Sequence, residues 1–227
     1  MSGLKKFGES ILIALLLAGC GGGHNDAPVA SSPAVVLGFV NSTNICNCGF
    51  PWGADYDGQL KRWSIPIPVK TNGDARAVTA MDAIEAKLGM VIFDRTSIEN
   101  TPDGSITRGI IFSKGTAYSP PGTPPANNCG NVASAPNQGG YPATFLIPQG
   151  EISTTLYANL DSPIAGGCIA SPDVVIHEFG HAMGMGPHFQ GFGIGSAISP
   201  DFWSVLDTIY SNPIGTTLAN ILVKIAP

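Results

Sequence analysis

Two histidines four residues apart, His177 and His181, with Glu178 directly after the first, carry the most specific chemistry in this 227-residue chain. On an α-helix, residues four apart project from one face about one turn apart, so both imidazoles can reach a single metal ion. Glu178 is turned one position round from that line, where its carboxylate reaches a metal-bound water rather than the metal. This H-E-x-x-H arrangement predicts a zinc hydrolase site. Three of the four histidines fall between positions 177 and 188. His188 is therefore the expected third nitrogen donor, with Asp201 and Asp207 as weaker substitutes. No Glu follows Glu178, which excludes the zinc-hydrolase plan that takes a downstream Glu as ligand.

The surrounding residues predict the helix that must present this pair. Ser171 is a suitable N-cap, Pro172 suits the first helical position, and Asp173 faces the positive end of the helix dipole. Val174, Val175, Ile176, Phe179, Ala182 and Met183 make the helix apolar on most sides, so it should be buried. Gly184 can take the left-handed conformation that ends a helix and turns the chain back toward the same ion.

The stretch HEFGHAMG resembles the metzincin metallopeptidases, and within them the matrixins, whose motif is H-E-x-x-H-x-x-G-x-x-H. The family's third His would fall at Pro187, and His188 stands one residue later. The resemblance implies an α+β fold: a twisted mixed sheet, a backing helix, an active-site helix and a C-terminal helix. It also implies one catalytic Zn2+, a protein or peptide substrate, and an edge strand that lines the cleft. Ala143–Ile147 and Glu151–Leu160 are the strand candidates for that role. The family places a Met in a turn beneath the zinc; no Met follows Met185 here, and Ile198 occupies the comparable place. Tyr210 is within sequence reach as a hydrogen-bond donor to the site, though packing is its simpler role. A structural Ca2+ is left unassigned.

The expected mechanism follows from these parts. Three neutral imidazoles leave one position of the zinc open to water, the ion acidifies that water and polarises the scissile carbonyl, and Glu178 carries the proton to the leaving amine. Two other functions fit the same motif: a catalytically inert zinc-binding surface lipoprotein, and a zinc hydrolase acting on a cell-wall amide.

Residues 1–19 read as an export signal, with Lys5 and Lys6 ahead of the apolar run Ile11–Ala18. That run is too short for a permanent membrane span. Leu17-Ala18-Gly19-Cys20 resembles the bacterial lipoprotein signal, which implies lipidation of Cys20 and anchoring to a bacterial membrane on its periplasmic or cell-surface side. Residues 20–34, rich in Gly, Ser, Pro and Ala, read as a flexible tether that contains His24. Residues 35–227 have the size of a single domain. The formal net charge is −5 and basic runs are absent, which argues against a nucleic-acid partner.

Setting Cys20 aside leaves Cys46, Cys48, Cys129 and Cys168, an even number that predicts two disulfides in an oxidising compartment. Cys46 and Cys48 stand too close in sequence to favour each other, so each is expected to pair with Cys129 or Cys168. Among the remaining elements, Arg62–Lys70 alternates like a strand. Its Pro66 and Pro68 suggest an edge or bent one. Asp74 to Leu88 has helical periodicity through Val78, Met81, Ile84 and Leu88. Met90–Phe93 and Gly109–Ser113 read as short strands, Ser119–Tyr141 as an irregular loop, and Ser199-Pro200-Asp201 as the start of a further helix.

Overall fold

The computed structural model describes residues 29–46, 48, 58–122, 124, 128–140, 146–147 and 150–226. The export signal, Cys20 and His24 lie outside these residues, as does most of the first strand candidate, Ala143–Ile147. No helix among the described residues is long and apolar enough to cross a membrane.

The fold is α+β, built around a five-stranded mixed sheet. Strands β1 (Ile67–Lys70), β2 (Phe93–Asp94), β3 (Gly109–Lys114), β4 (Gly130–Ala133) and β7 (Thr155–Leu160) lie in the order β2-β1-β3-β7-β4. All neighbours run parallel except β4, which pairs antiparallel to β7. Two short strands, β5 (Leu146–Ile147) and β6 (Glu151–Ile152), form a separate antiparallel pair. The described helices are α1 (Pro33–Val40), α2 (Ala75–Leu88), α3 (Pro172–Ala182) and α4 (Pro200–Ser211).

Local chemistry accounts for the helix limits. Asp74 caps α2 by accepting from the Arg76 N–H, and Gly89 closes it in the left-handed conformation with φ 65°. Ala77, Ala80, Met81, Ile84 and Leu88 form its buried face, while Val78 is largely exposed. Arg76 then crosses to Asp161 at the end of β7 through two contacts of 2.9 Å, which fixes α2 against the sheet. The Arg76 guanidinium holds the Asp74 and Asp161 carboxyls below the usual carboxylate range. On α3, Phe179 packs against Phe112 of β3 and Phe93 of β2, with ring centroids 4.6 and 5.2 Å away.

Three expectations need correction. β1 is interior, not an edge. Its Ile67 and Pro68 register with β2, whereas Val69 and Lys70 register with β3. The N–H that Pro68 lacks falls where the pairing changes sides, so both prolines are tolerated. The segment Glu151–Leu160 does not supply the edge. β7 is enclosed between β3 and β4, and the antiparallel edge strand is β4, inside the stretch read as an irregular loop. Its short Gly-Asn-Val-Ala sequence has almost no alternation to betray it.

The third correction concerns the cysteines. Cys46 pairs with Cys48, and Cys129 with Cys168. The turn after residue 45 leaves the Cys46 and Cys48 Cα atoms 5.2 Å apart, inside the usual disulfide range of roughly 4.4–6.8 Å. Cys129 instead joins the start of β4 to the loop leading into α3, a loop also tied by the bonds Asp161 N–H to Cys129 O and Ser162 N–H to Cys168 O.

A last element was not anticipated at all. α1 continues into a single π-helical turn, Asn41–Ile45, with Thr43, Asn44 and Ile45 buried. α1 packs on α4, and Ser31 just before it donates from N–H and hydroxyl to the two carboxylate oxygens of Asp201, at 2.6 and 2.8 Å.

Candidate metal centre

Helix α3 begins as its sequence predicts. Ser171 accepts from the Val174 N–H, Pro172 occupies the first turn and Asp173 faces the dipole. The helix is buried along Val175–Gly180. Gly180, between the two histidines, lets α4 approach closely: a Cβ there would lie 2.7 Å from the Phe202 ring and 3.2 Å from the Phe192 ring.

His177 and His181 project from this helix toward His188 on the following loop. The Nε2 atom of His188 lies 3.1 Å from that of His177 and 3.0 Å from that of His181. All three donor atoms fall within 4.8 Å of one another. Zn–N bonds of about 2.0–2.1 Å in a tetrahedral set place nitrogens roughly 3.3 Å apart, so the convergence suits one ion. The other ring nitrogens of the two helical histidines are occupied. His177 Nδ1 meets Ala197 O at 2.9 Å, and His181 Nδ1 meets Met185 O at 2.7 Å. A carbonyl partner requires Nδ1 to carry the proton, which leaves Nε2 as a free lone pair aimed at the common point. The donor set therefore fits a metal ion.

Burial reinforces that state. Desolvation lowers His177 to about 4, helped by neighbouring His188, and it outweighs the opposing bond to Ala197. It also lowers His181, well below the ordinary imidazole range, and His188. The imidazoles are thus neutral at pH 7, as metal ligation requires.

Glu178 sits beside them, 5% exposed. Its Oε2 has no hydrogen-bond partner among the described residues, and burial raises its carboxyl to about 8. Edge strand β4 runs directly over it. A Cβ at Gly130 would lie 2.8 Å from Glu178 Cγ and 2.9 Å from Oε1, so a side chain there would displace the carboxylate. The site opens into a cleft of about 530 Å³, with β4 on one wall and the loop of Gly193, Gly195, Ser196 and Ala197 on the other.

The departure in spacing at Pro187 is absorbed by the loop. Gly184 takes φ 114°, where a side chain would be strained. The chain then swings through Met185 and Gly186 so that His188, not Pro187, reaches the triad. The substitutes considered for that place are engaged elsewhere: Asp201 binds Ser31, and Asp207 accepts from the Ser211 hydroxyl at 2.8 Å. Tyr210 is buried. It donates from its hydroxyl to Met183 O at 3.0 Å, which makes it a brace for the end of α3. Burial pushes its phenol up.

Several residues of the centre were not singled out in the sequence. Ile198 is partly buried against the core, but the floor of the triad is Phe192. Its ring centroid lies 4.3, 4.7 and 5.4 Å from those of His177, His181 and His188. An aromatic flanked by glycines in FQGFGIGS was the available signal. Gly193 is equally constrained, since a Cβ there would meet the His188 ring at 2.5 Å. Comparison with known proteins found no matching family model, no matching curated protein and no matching solved structure.

Proposed function

We propose that the chain is a zinc-dependent hydrolase of peptide bonds, with His177, His181 and His188 holding the ion and Glu178 acting as general base. One observation carries the reading. A three-nitrogen donor set, two of its Nε2 lone pairs freed by carbonyl partners at Nδ1, stands next to a buried carboxylate oxygen that no group among the described residues satisfies. A structural zinc site needs no such carboxylate and is normally closed by a fourth protein ligand. When bound, zinc would supply Lewis acidity, polarising a carbonyl and acidifying water.

The remaining work belongs to this chain's own groups. Glu178 Oε2 is buried without a hydrogen-bond partner among the described residues, so it is free to take a proton from attacking water and pass it to a leaving amine. Burial alone would keep it protonated up to about pH 8. Beside a bound dication Glu178 would be held in its ionised form and so could serve as the base. Phe192 keeps the far side of the imidazoles dry, and Ala197 and Met185 hold two of the rings in the ligating tautomer.

The same reading takes the sequence around Cys20 as a lipid attachment site on an exported protein, placing the activity at a bacterial membrane surface. Glu178→Gln keeps the side chain's shape while removing the base. It should retain zinc and lose cleavage of a peptide library by at least 100-fold. Turnover equal to the parent protein's would remove Glu178 from the mechanism. Zinc-dependent release from purified peptidoglycan without peptide cleavage would redirect the reading to a cell-wall amide.

A further inference from the structure

The loop that delivers His188 is held from outside at nearly every carbonyl. Trp63 Nε1 donates to Ala182 O at 2.7 Å, Tyr210 to Met183 O, and Asn44 Nδ2 to Gly184 O at 2.7 Å. His181 Nδ1 donates to Met185 O, and the Thr43 hydroxyl to Pro187 O at 2.8 Å. The Gly186 N–H in turn donates to Thr43 O at 2.7 Å.

Thr43 and Asn44 therefore grip both sides of the extra residue that shifts the third histidine. Both are fully buried. The position of Asn44 is fixed by Lys61, a buried lysine whose ammonium donates to Asn44 O at 2.9 Å and Ile45 O at 2.8 Å. Asn44 also exchanges two bonds with the Lys61 backbone, accepting from its N–H at 2.9 Å and donating to its carbonyl at 2.6 Å. A Cβ at Gly184 would lie 2.9 Å from Lys61 O and 3.3 Å from Asn44 Nδ2, so the contact is close along its length.

We infer that Thr43 and Asn44 are positioning residues for the metal centre: by holding Gly184, Gly186 and Pro187 they set where His188 Nε2 stands. The inference rests on the three-histidine zinc reading. Neither residue touches the donor atoms, so the effect must pass through the loop. Groups that orient metal ligands from behind typically cost 10–100-fold in metal affinity when removed.

The test uses the full chain and zinc itself. Thr43→Val removes the hydroxyl at nearly constant shape and leaves the backbone bond to Gly186 intact. Asn44→Asp keeps the acceptor for the Lys61 N–H but sets a second oxygen against the Lys61 and Gly184 carbonyls. Zinc affinity is read by chelator competition and coordination geometry by the visible spectrum of the cobalt-substituted protein. Melting of the metal-free forms reports folding alone. Thr43→Val should weaken zinc about tenfold with an altered cobalt spectrum, Asn44→Asp should weaken it further, and Thr43→Ser should return affinity to within about threefold of the parent. A folded Thr43→Val protein with parental affinity and spectrum overturns the assignment, as does a Thr43→Ser protein as weak as Thr43→Val. Failure of the parent chain to bind zinc would instead overturn the underlying site reading.

Discussion

The two ends of helix α3 are held in opposite ways. At the start, everything needed is local: Ser171 caps, Pro172 presets the first turn and Asp173 answers the dipole, all within three residues. At the finish, the carbonyls of Ala182, Met183, Gly184 and Pro187 are satisfied by Trp63, Tyr210, Asn44 and Thr43, side chains that lie 27 to 144 positions away in the chain. A local cap can be read from a string of residues. A cap assembled from four remote side chains cannot, because it exists only once the fold has formed. The difference follows the chemistry. The first end needs only to begin a helix, whereas the second must hold an irregular loop still enough to aim a metal ligand.

Substitutions at the two ends should therefore differ in kind as well as size. Trp63→Phe strands the buried Ala182 carbonyl and leaves a void. It should cost about 3 kcal/mol of stability and also weaken zinc binding through the disturbed loop. Equal zinc affinity in the folded variant would show that the remote end does not govern the site.

The middle of the helix offers a smaller effect, seen in metal-free protein as a dependence on pH. Above about pH 7.5 the three lowered imidazoles are neutral in folded and unfolded chains alike. Glu178, raised to about 8, gives up its proton over this range when folded and is already ionised when unfolded. The folded state then binds more protons, so stability falls as pH rises, by on the order of 1 kcal/mol between about pH 7.5 and 9. At lower pH the histidines act with the opposite sign. Their folded values are lowered, so their contribution is lost as pH falls from 6.5 toward 4. Denaturant melts of metal-free protein at about pH 7.5 and 9 measure the slope, and Glu178→Gln should flatten it.

The smallest change is expected at the local end. Ser171→Ala should cost about 1 kcal/mol, the usual worth of an N-cap, and leave zinc affinity unaltered. A loss of zinc affinity comparable to that of Trp63→Phe would erase the contrast between the ends.

The same contrast explains what was legible in the sequence. His177, Glu178 and His181 lie on one short helix whose start, burial and glycine exit are all encoded nearby, and α2 and α4 are signposted in the same way by Asp74 and Ser199. His188 was legible as a donor type but not as a placed ligand, since its reach depends on how Gly184 and Pro187 bend. Edge strand β4 was hidden because Gly130 and Asn131 lack the alternation of a strand. Its identity is set by pairing with β7 and by its passage over Glu178. The Cys46–Cys48 pair, the α1 segment and the Phe192 floor are likewise products of tertiary placement. Thr43 and Asn44 leave no mark in the sequence, because the loop carbonyls they hold lie more than 130 residues away.

The most direct test is elemental analysis combined with zinc titration of folded, chelator-treated full-length protein, run alongside His188→Ala. The account predicts one zinc per chain in the parent, bound through the three imidazoles, and a marked loss in His188→Ala. A folded parent chain that takes up no stoichiometric zinc, or a His188→Ala protein that holds it equally well, would contradict the three-histidine centre.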